Sequence, residues 1–300
     1  MDINKVLEHA ANLKIAVIGD LIIDQYVFGG VDRISPEAPV PIVNQTSKTV
    51  SMGGAGNVFM NLHNMGVDVD LFCNFNGKPI WPEDLSPKIF CNPYPAPVKT
   101  RIMSEHHHIL RIDQEISQDQ IEWPAFKQIS WWEYLQENLG KYDRIVISDY
   151  HKGCVSDSLI NAVMELTPKY HIPVYVDAKK DFGRFHGAFL LKCNKKEAPA
   201  GIHKTLLSKM SVMYWMVTCG ESGISFYTPL NDYGDGVDGV YVEAPDVCGA
   251  GDTAMAIFAI MEESPILRDW VELAVEASAE VCRHRGVYPI TKEDLLKIKT

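Results

Sequence analysis

The sequence predicts an α/β fold, a mostly parallel sheet covered by helices on both faces. Three observations predict it. Short apolar runs recur at 14–19, 144–148 and 174–177, as buried parallel strands require. Helical patterns of small and apolar residues stand between such runs, giving a strand–helix–strand rhythm through the second half of the chain. Glycine-rich turns lead into helices at 53–57 and 249–251.

Taken in order, KIAVIG at 14–19 is a buried strand that ends in Gly-Asp, so its C-terminal end opens onto a site. Residues 25–31 and 39–45 read as two short strands around SPEAPVP, where three prolines forbid a helix and disfavour a central strand. They form an edge or lid element. After Gly53-Gly54-Ala55-Gly56-Asn57 a helix carries Val58, Leu62 and Met65, and 68–74 returns as a strand. The proline-rich stretch 75–97 has no clear period and reads as a loop. Residues 98–104 and 108–113 alternate like a hairpin, and Trp123 to Leu139 reads as helical. Then come a strand at 144–148, a helix at 156–167, and strands at 174–177, 188–191 and 213–218. Segments 223–228 and 238–243 read as antiparallel strands, and Thr253–Met261 and Leu267–Arg285 as closing helices. No repeat or linker divides the chain, so residues 1–300 are expected to form one domain.

The 300 residues, 46% of them hydrophobic, are enough for a large core without disulfide staples. A net charge of −11 argues against nucleic acid or an anionic membrane as partner, because phosphate surfaces recruit excess Lys and Arg. Anionic small molecules stay possible if the cations gather at one site. Seven cysteines with no C-x-x-C pair suggest neither a disulfide framework nor a zinc site, and fit a reducing cytoplasm. The N-terminal segment has no signal-peptide pattern, and the longest notable apolar run, 212–217, is too short to span a membrane.

The sharpest constellation is Asp246-Val-Cys-Gly249-Ala250-Gly251-Asp252-Thr253. Small residues let the backbone approach a ligand closely, and amides at a helix N-terminus favour an anion. A carboxylate beside them can accept a proton from an attacking hydroxyl while the amides steady a transferring phosphoryl group. Alone, the segment could also be a plain acidic helix start, but Gly-Ala-Gly is costly unless closeness is needed, which favours the functional reading. The cluster at 53–57 reads alone equally as a second glycine-rich ligand turn or as a tight turn with an Asn cap. Asp20 and Asp24 flank the end of the first strand, where acids hydrogen-bond sugar hydroxyls or are merely solvated. Asn194-Lys195-Lys196-Glu197 sets an amide and a carboxylate at i and i+3, suited to phosphates and a hydrated Mg²⁺ but also to an ordinary charged helix start. His106, His107 and His108 have no metal-binding partner at ligand spacing and read as a solvated turn.

Together and in this order, Asp20 and Asp24 of GD-x-x-x-D, GGAGN at 53–57, N-x-x-E at 194–197, VTCGESG at 217–223 and DVCGAGDT at 246–253 resemble the ribokinase-like (PfkB) carbohydrate kinase family almost end to end. RISPEAPVP at 33–41, SDYHKG at 148–153 and VDAKKDF at 176–182 are similar to the bacterial kinase domains that phosphorylate D-glycero-D-manno-heptose 7-phosphate at its anomeric oxygen. The resemblance implies a Rossmann-like αβα sandwich with a small β lid from 25–45 and 98–113, the lid also serving as a homodimer surface. It implies ATP and Mg²⁺ as cofactors and a sugar, here a sugar phosphate, as acceptor. Asp252 is then the base, with Gly249, Ala250 and Gly251 as the anion hole. Asn194, Lys195, Lys196 and Glu197 handle phosphates, Glu197 also the metal, and Thr218 and Gly220 line the nucleotide pocket. Asp20, Asp24, Gly53, Gly54 and Asn57 hold the sugar, and Arg101 and Lys179 contact phosphate. Another acceptor, or a catalytically silent sugar-binding relative, is the alternative. The chain departs from the family in its short, proline-rich 75–97, in Pro199 and in Cys248, which stands where Thr or Ser is commoner.

Overall fold

The computed structural model describes residues 1–104, 107–115, 130–199, 202, 204–230, 234–243, 245–262 and 267–298. Its strands in chain order are β1 (Lys14–Gly19), β2 (Leu21–Ile34), β3 (Pro41–Gly54), β4 (Asp68–Asn74), β5 (Ile89–Asn92), β6 (Val98–Ser104), β7 (His107–Gln114), β8 (Arg144–Asp149), β9 (Val174–Ala178), β10 (Leu190–Asn194), β11 (Tyr214–Thr218), β12 (Ile224–Tyr227) and β13 (Asp235–Val237). The helices are α1 (Ile3–Ala11), α2 (Ala55–Asn64), α3 (Trp132–Asn138), α4 (Asp157–Leu166), α5 (Lys204–Met210), α6 (Ala250–Ala259), α7 (Leu267–Cys282) and α8 (Lys292–Lys297).

Nine strands form one sheet in the order β13-β12-β11-β10-β9-β8-β1-β4-β5. Its strands all run in one direction except β12, which pairs antiparallel with β11 on one side and with β13 on the other. Strand periodicity explains the layers, since successive side chains point to opposite faces. Ile15, Val17, Leu71 and Val146 pack against Val58, Ile257 and Leu273 of α2, α6 and α7, with α1 and α8 alongside. Ala16, Ile18, Phe72, Ile147 and Val176 face Leu135, Leu159 and Leu207 of α3, α4 and α5. Because both faces are covered, β1 and β8 read as unbroken apolar runs. The neighbouring ends of β1, β8, β9 and β10 bring Asp20, Asp149, Asp177 and Asn194 to one edge of the sandwich.

A second sheet, β3-β2-β6-β7, stands off this edge as the expected lid. Its strands correct the sequence reading. β2 and β3 span fourteen residues each, not the short 25–31 and 39–45, and pair from Leu21↔Gly54 to Ile34↔Pro41. Their outer halves are exposed, so burial leaves no apolar alternation to read. Pro36 and Pro39 lie in the turn that joins them, closed by Ser35 N donating to Val40 O at 2.8 Å.

Two other expectations change. The 75–97 loop holds a 3-10 turn at Glu83–Lys88 and the strand β5, which pairs parallel with β4. The strand expected at 238–243 lies instead at Asp235–Val237. Gly239 runs so close to the Glu221 carbonyl (a Cβ there would lie 2.2 Å away) that the chain has already left the sheet. Of the Trp123–Leu139 helix, α3 is present, and 123–129 lie outside the described residues, as does His106. His107 and His108 are exposed on β7. No helix among the described residues is long and apolar enough to cross a membrane.

Candidate active site

Asp252 sits in the first turn of α6, only 4% exposed. Its Oδ1 accepts a hydrogen bond from the Tyr150 hydroxyl at 2.7 Å, and its Oδ2 one from Asn57 Nδ2 at 3.0 Å. Burial, with the nearby charge of Asp177, raises its pKa above the usual carboxylate value, while Tyr150, Asn57 and Lys179 pull the other way. A buried carboxylate with a raised pKa beside a helix N-terminus has the properties of a general base. The N-cap of α6 is Gly249, which offers no side-chain cap to the first amides. The Ala250 amide lies 3.4 Å from the Val247 carbonyl, and the helix N-terminus as a whole favours an anion.

The loop shape that sets this up is fixed by glycine. Gly249 has φ +85°, and a Cβ there would lie 2.5 Å from Asn57 Nδ2. Asn57 reaches both the Gly249 carbonyl (3.4 Å) and Asp252, and its own Oδ1 accepts from Asn61 Nδ2. Asn61 Oδ1 accepts in turn from Thr253 Oγ1 (3.1 Å) and Ile290 N (2.8 Å). Asn57, fully buried, thus holds the Asp252 carboxylate and the Gly249 carbonyl in place. Gly251 lies against the buried ammonium of Lys192.

Asp20 is held by backbone amides. Its carboxylate accepts from the backbone amides of Tyr150 (2.9 Å), Lys152 (3.0 Å) and Cys154 (2.9 Å), so it shapes the turn after β8 and has little left for sugar. Burial and the neighbouring Asp149 push its pKa up to about 6 against those amides. Asp24 and Arg101, on adjacent lid strands, form a buried ion pair at 2.5 Å, and the guanidinium stacks over Tyr26 at 5.1 Å. Gly53 makes room for this pair, since a Cβ there would fall 1.9 Å from Asp24 Oδ2. Gly54, the last residue of β3, lies against the Asp20 carbonyl. Cys248 is a neutral thiol whose pKa burial pushes up to about 11.

Lys179 joins the halves of the site. Its ammonium lies 3.5 Å from Asp177 Oδ1, 3.8 Å from Glu197 Oε1 and 4.2 Å from the centre of the Tyr150 ring. Burial alone would lower its pKa, and the carboxylates of Asp177 and Glu197 outweigh that and raise it. Lys192, 1% exposed, holds the other Asp177 oxygen at 2.7 Å. In the N-x-x-E segment, Asn194 Oδ1 accepts from the amides of Lys196 and Glu197, and Asn194 N donates to Glu197 Oε2. This reciprocal cap fixes the Glu197 carboxylate. Lys195 and Lys196 are exposed, Lys195 N donating to Thr218 O at 2.9 Å. Thr218 Oγ1 faces Cys193 O at 3.4 Å, and nothing stands within 4 Å of where a Cβ on Gly220 would be. Among the described residues no three His, Cys, Asp or Glu side chains gather to hold a metal. A hydrated Mg²⁺ needs only one or two carboxylates beside phosphate oxygens, and the Glu197 carboxylate fits that demand, whereas Asn194 Oδ1 is already taken by the amides of Lys196 and Glu197.

The structure thus brings Asp252, Gly249, Gly251, Asn57 and Lys179 together, with Asp24, Gly53 and Arg101 on the lid side. Sequence reasoning gave no role to Tyr150, Asp177, Lys192 or Asn61. Tyr150 and Asp177 lay inside the quoted segments SDYHKG and VDAKKDF, at the ends of apolar strands, which was the available signal.

No protein-family model matches the chain. It is 34% identical over 270 residues to a bifunctional protein HldE of Aliarcobacter butzleri, covering 82% of this chain and 56% of the relative. The HldE protein of Campylobacter jejuni is 32% identical over 308 residues, covering 95% and 64%. The chain thus spans little more than half the length of the first of these relatives. Among solved structures, Arabidopsis thaliana ribokinase with ribose and ATP superposes with a TM-score of 0.67 at 14% identity, covering 95% of this chain and 98% of that one. Escherichia coli phosphofructokinase-2 with substrates and products gives 0.69 at 16% identity, covering 95% and 98%. In sequence the chain is related over most of its own length to bifunctional HldE proteins, and its fold is that of the ribokinase-like carbohydrate kinases.

Proposed function

We propose that this protein transfers the γ-phosphoryl group of ATP to a hydroxyl of a phosphorylated sugar, with the anomeric oxygen of D-glycero-D-manno-heptose 7-phosphate as first candidate. The observation that carries the reading is the buried Asp252 carboxylate at the uncapped N-terminus of α6. In the proposed reaction Asp252 takes the acceptor proton as the sugar oxygen bonds to the γ-phosphorus. The bond from that phosphorus to the β–γ bridging oxygen breaks, and ADP leaves. The amides at Gly249, Ala250 and Gly251 face the charge on the transferring group. Glu197 would hold Mg²⁺, which neutralises phosphate charge when bound, and Asn194 would fix the turn that presents it.

A phosphorylated acceptor is supported by where the cations lie. On one face of the lid Arg101 and Arg111 are paired with Asp24 and Asp113, while Lys99 of that face and Lys179 from the main sheet converge on the Tyr150 ring. Concentrated positive charge favours an anionic substrate. ADP release measured across a panel of free and phosphorylated sugars tests this. We expect kcat/KM for heptose 7-phosphate to exceed that for ribose, adenosine or fructose 6-phosphate by at least about 10². A free sugar or a nucleoside as the best acceptor overturns the substrate assignment.

We also propose a homodimer through the lid. Val50, Leu110 and Ile112 lie by register on its other face and are 40–53% exposed. Sedimentation velocity should find a dimer at micromolar concentration, and a monomer throughout contradicts it.

A further inference from the structure

One group at the site has no part in the reaction as written above. Tyr150 follows β8 and touches four parts of the molecule. Its hydroxyl lies 2.7 Å from Asp252 Oδ1, and its amide donates to Asp20 Oδ2 at 2.9 Å. Its ring lies under Lys179 at 4.2 Å and, from the lid, Lys99 at 5.9 Å. The ring is only partly covered, so it borders the space from which an acceptor reaches the base.

We propose that Tyr150 is a positioning residue for the base, its hydroxyl clamping the Asp252 carboxylate against Asn57 so that the remaining lone pairs meet the acceptor hydroxyl. This rests on the reading of Asp252 as the base. A carboxylate on a helix N-terminus can rotate about two side-chain bonds. Asn57 fixes one oxygen and Tyr150 the other, so the plane of the carboxylate is set from α2 and from the β8 turn at once. Asp20 anchors the backbone of that turn, which keeps the phenol from drifting.

The phenol cannot serve as the base itself. Burial and the adjacent Asp252 charge hold its pKa well above the usual tyrosine value, so it stays protonated and donates. Donation favours the ionised carboxylate over the neutral acid, opposing burial. The other charges around the pair are Asp177 on β9, Lys179 after it, Lys192 on β10 beneath Gly251, and Asp24 and Lys99 on the lid. Asp177 opposes ionisation of Asp252, and Lys179 favours it.

The test is the pH profile of kcat/KM. Activity requires the carboxylate and so rises with pH through the Asp252 pKa. Tyr150→Phe removes a donor, raises that pKa and moves the acid limb to higher pH by about one unit. Below the limb this is about a tenfold loss that recovers as pH rises. Replacing Tyr150 by 3,5-difluorotyrosine, a stronger donor of the same shape, moves the limb the opposite way. If the Phe variant fails to fold, the fluorinated protein decides alone. An acid limb unmoved in the folded variants overturns the proposal. Asp252→Asn separates the two readings: retained turnover means Asp252 is not the base, whereas an inactive Asn variant with an unmoved Tyr150 limb removes only the role of Tyr150.

Discussion

Asp252→Asn should lower kcat by at least about 10² while nucleotide still binds. The substitution keeps shape and contacts. The new amide can place its oxygen toward Asn57 Nδ2 and its nitrogen toward the Tyr150 oxygen, because a hydroxyl both donates and accepts. It removes only the ability to take a proton. Since burial already opposes the charge on Asp252, the thermal midpoint should not fall. Steady-state kinetics, calorimetric nucleotide titration and a melting curve together check this. Near wild-type turnover would falsify the assignment, and a lowered midpoint would show that the carboxylate stabilises the fold.

Gly249→Ala should damage both stability and turnover. The left-handed backbone at φ +85° costs a residue with Cβ about 1–2 kcal/mol. Its methyl would also lie 2.5 Å from Asn57 Nδ2. Asn57 cannot yield easily, because α2 carries it and Asn61 holds its carbonyl and amide oxygens. Either the loop opens or Asn57 releases Asp252, and each spoils the register between base and amides. We expect a stability loss of about 2 kcal/mol or more, and kcat down by at least about tenfold in the fraction that stays folded. Chemical denaturation and kinetics on the same preparation check both. Unchanged kcat in a folded variant would mean that the spacing of the loop is not critical.

These two sites were legible in the sequence for a physical reason. Glycines beside an acid before a small-residue helix are costly unless something must come close, and Gly249 and Asp252 stand where that rule puts them. The doubly covered strands β1 and β8 were equally legible, because burial on both faces leaves a nearly unbroken apolar run. β5 was not: it is four residues long and bounded by Pro87 and Pro93. The lid strands were underestimated because solvent on their outer halves removes the alternation. Tyr150, Asn61 and Lys192 acquire their roles from partners 102, 192 and 15 positions away, and no local pattern reports such pairings. The protein partners of Asp20 and Asn57 escaped the sequence for a related reason. Both stand in motif positions, but the nearest donors and acceptors that the fold supplies are protein groups.

The most direct measurement of the central claim is the phosphorus NMR spectrum of the wild-type protein incubated with ATP, Mg²⁺ and D-glycero-D-manno-heptose 7-phosphate. The account predicts ADP in equimolar amount with a new phosphate ester on the anomeric carbon, and neither product with Asp252→Asn. ATP left intact beside a bound nucleotide and every sugar offered, or the same ester formed by the Asn variant, would contradict it.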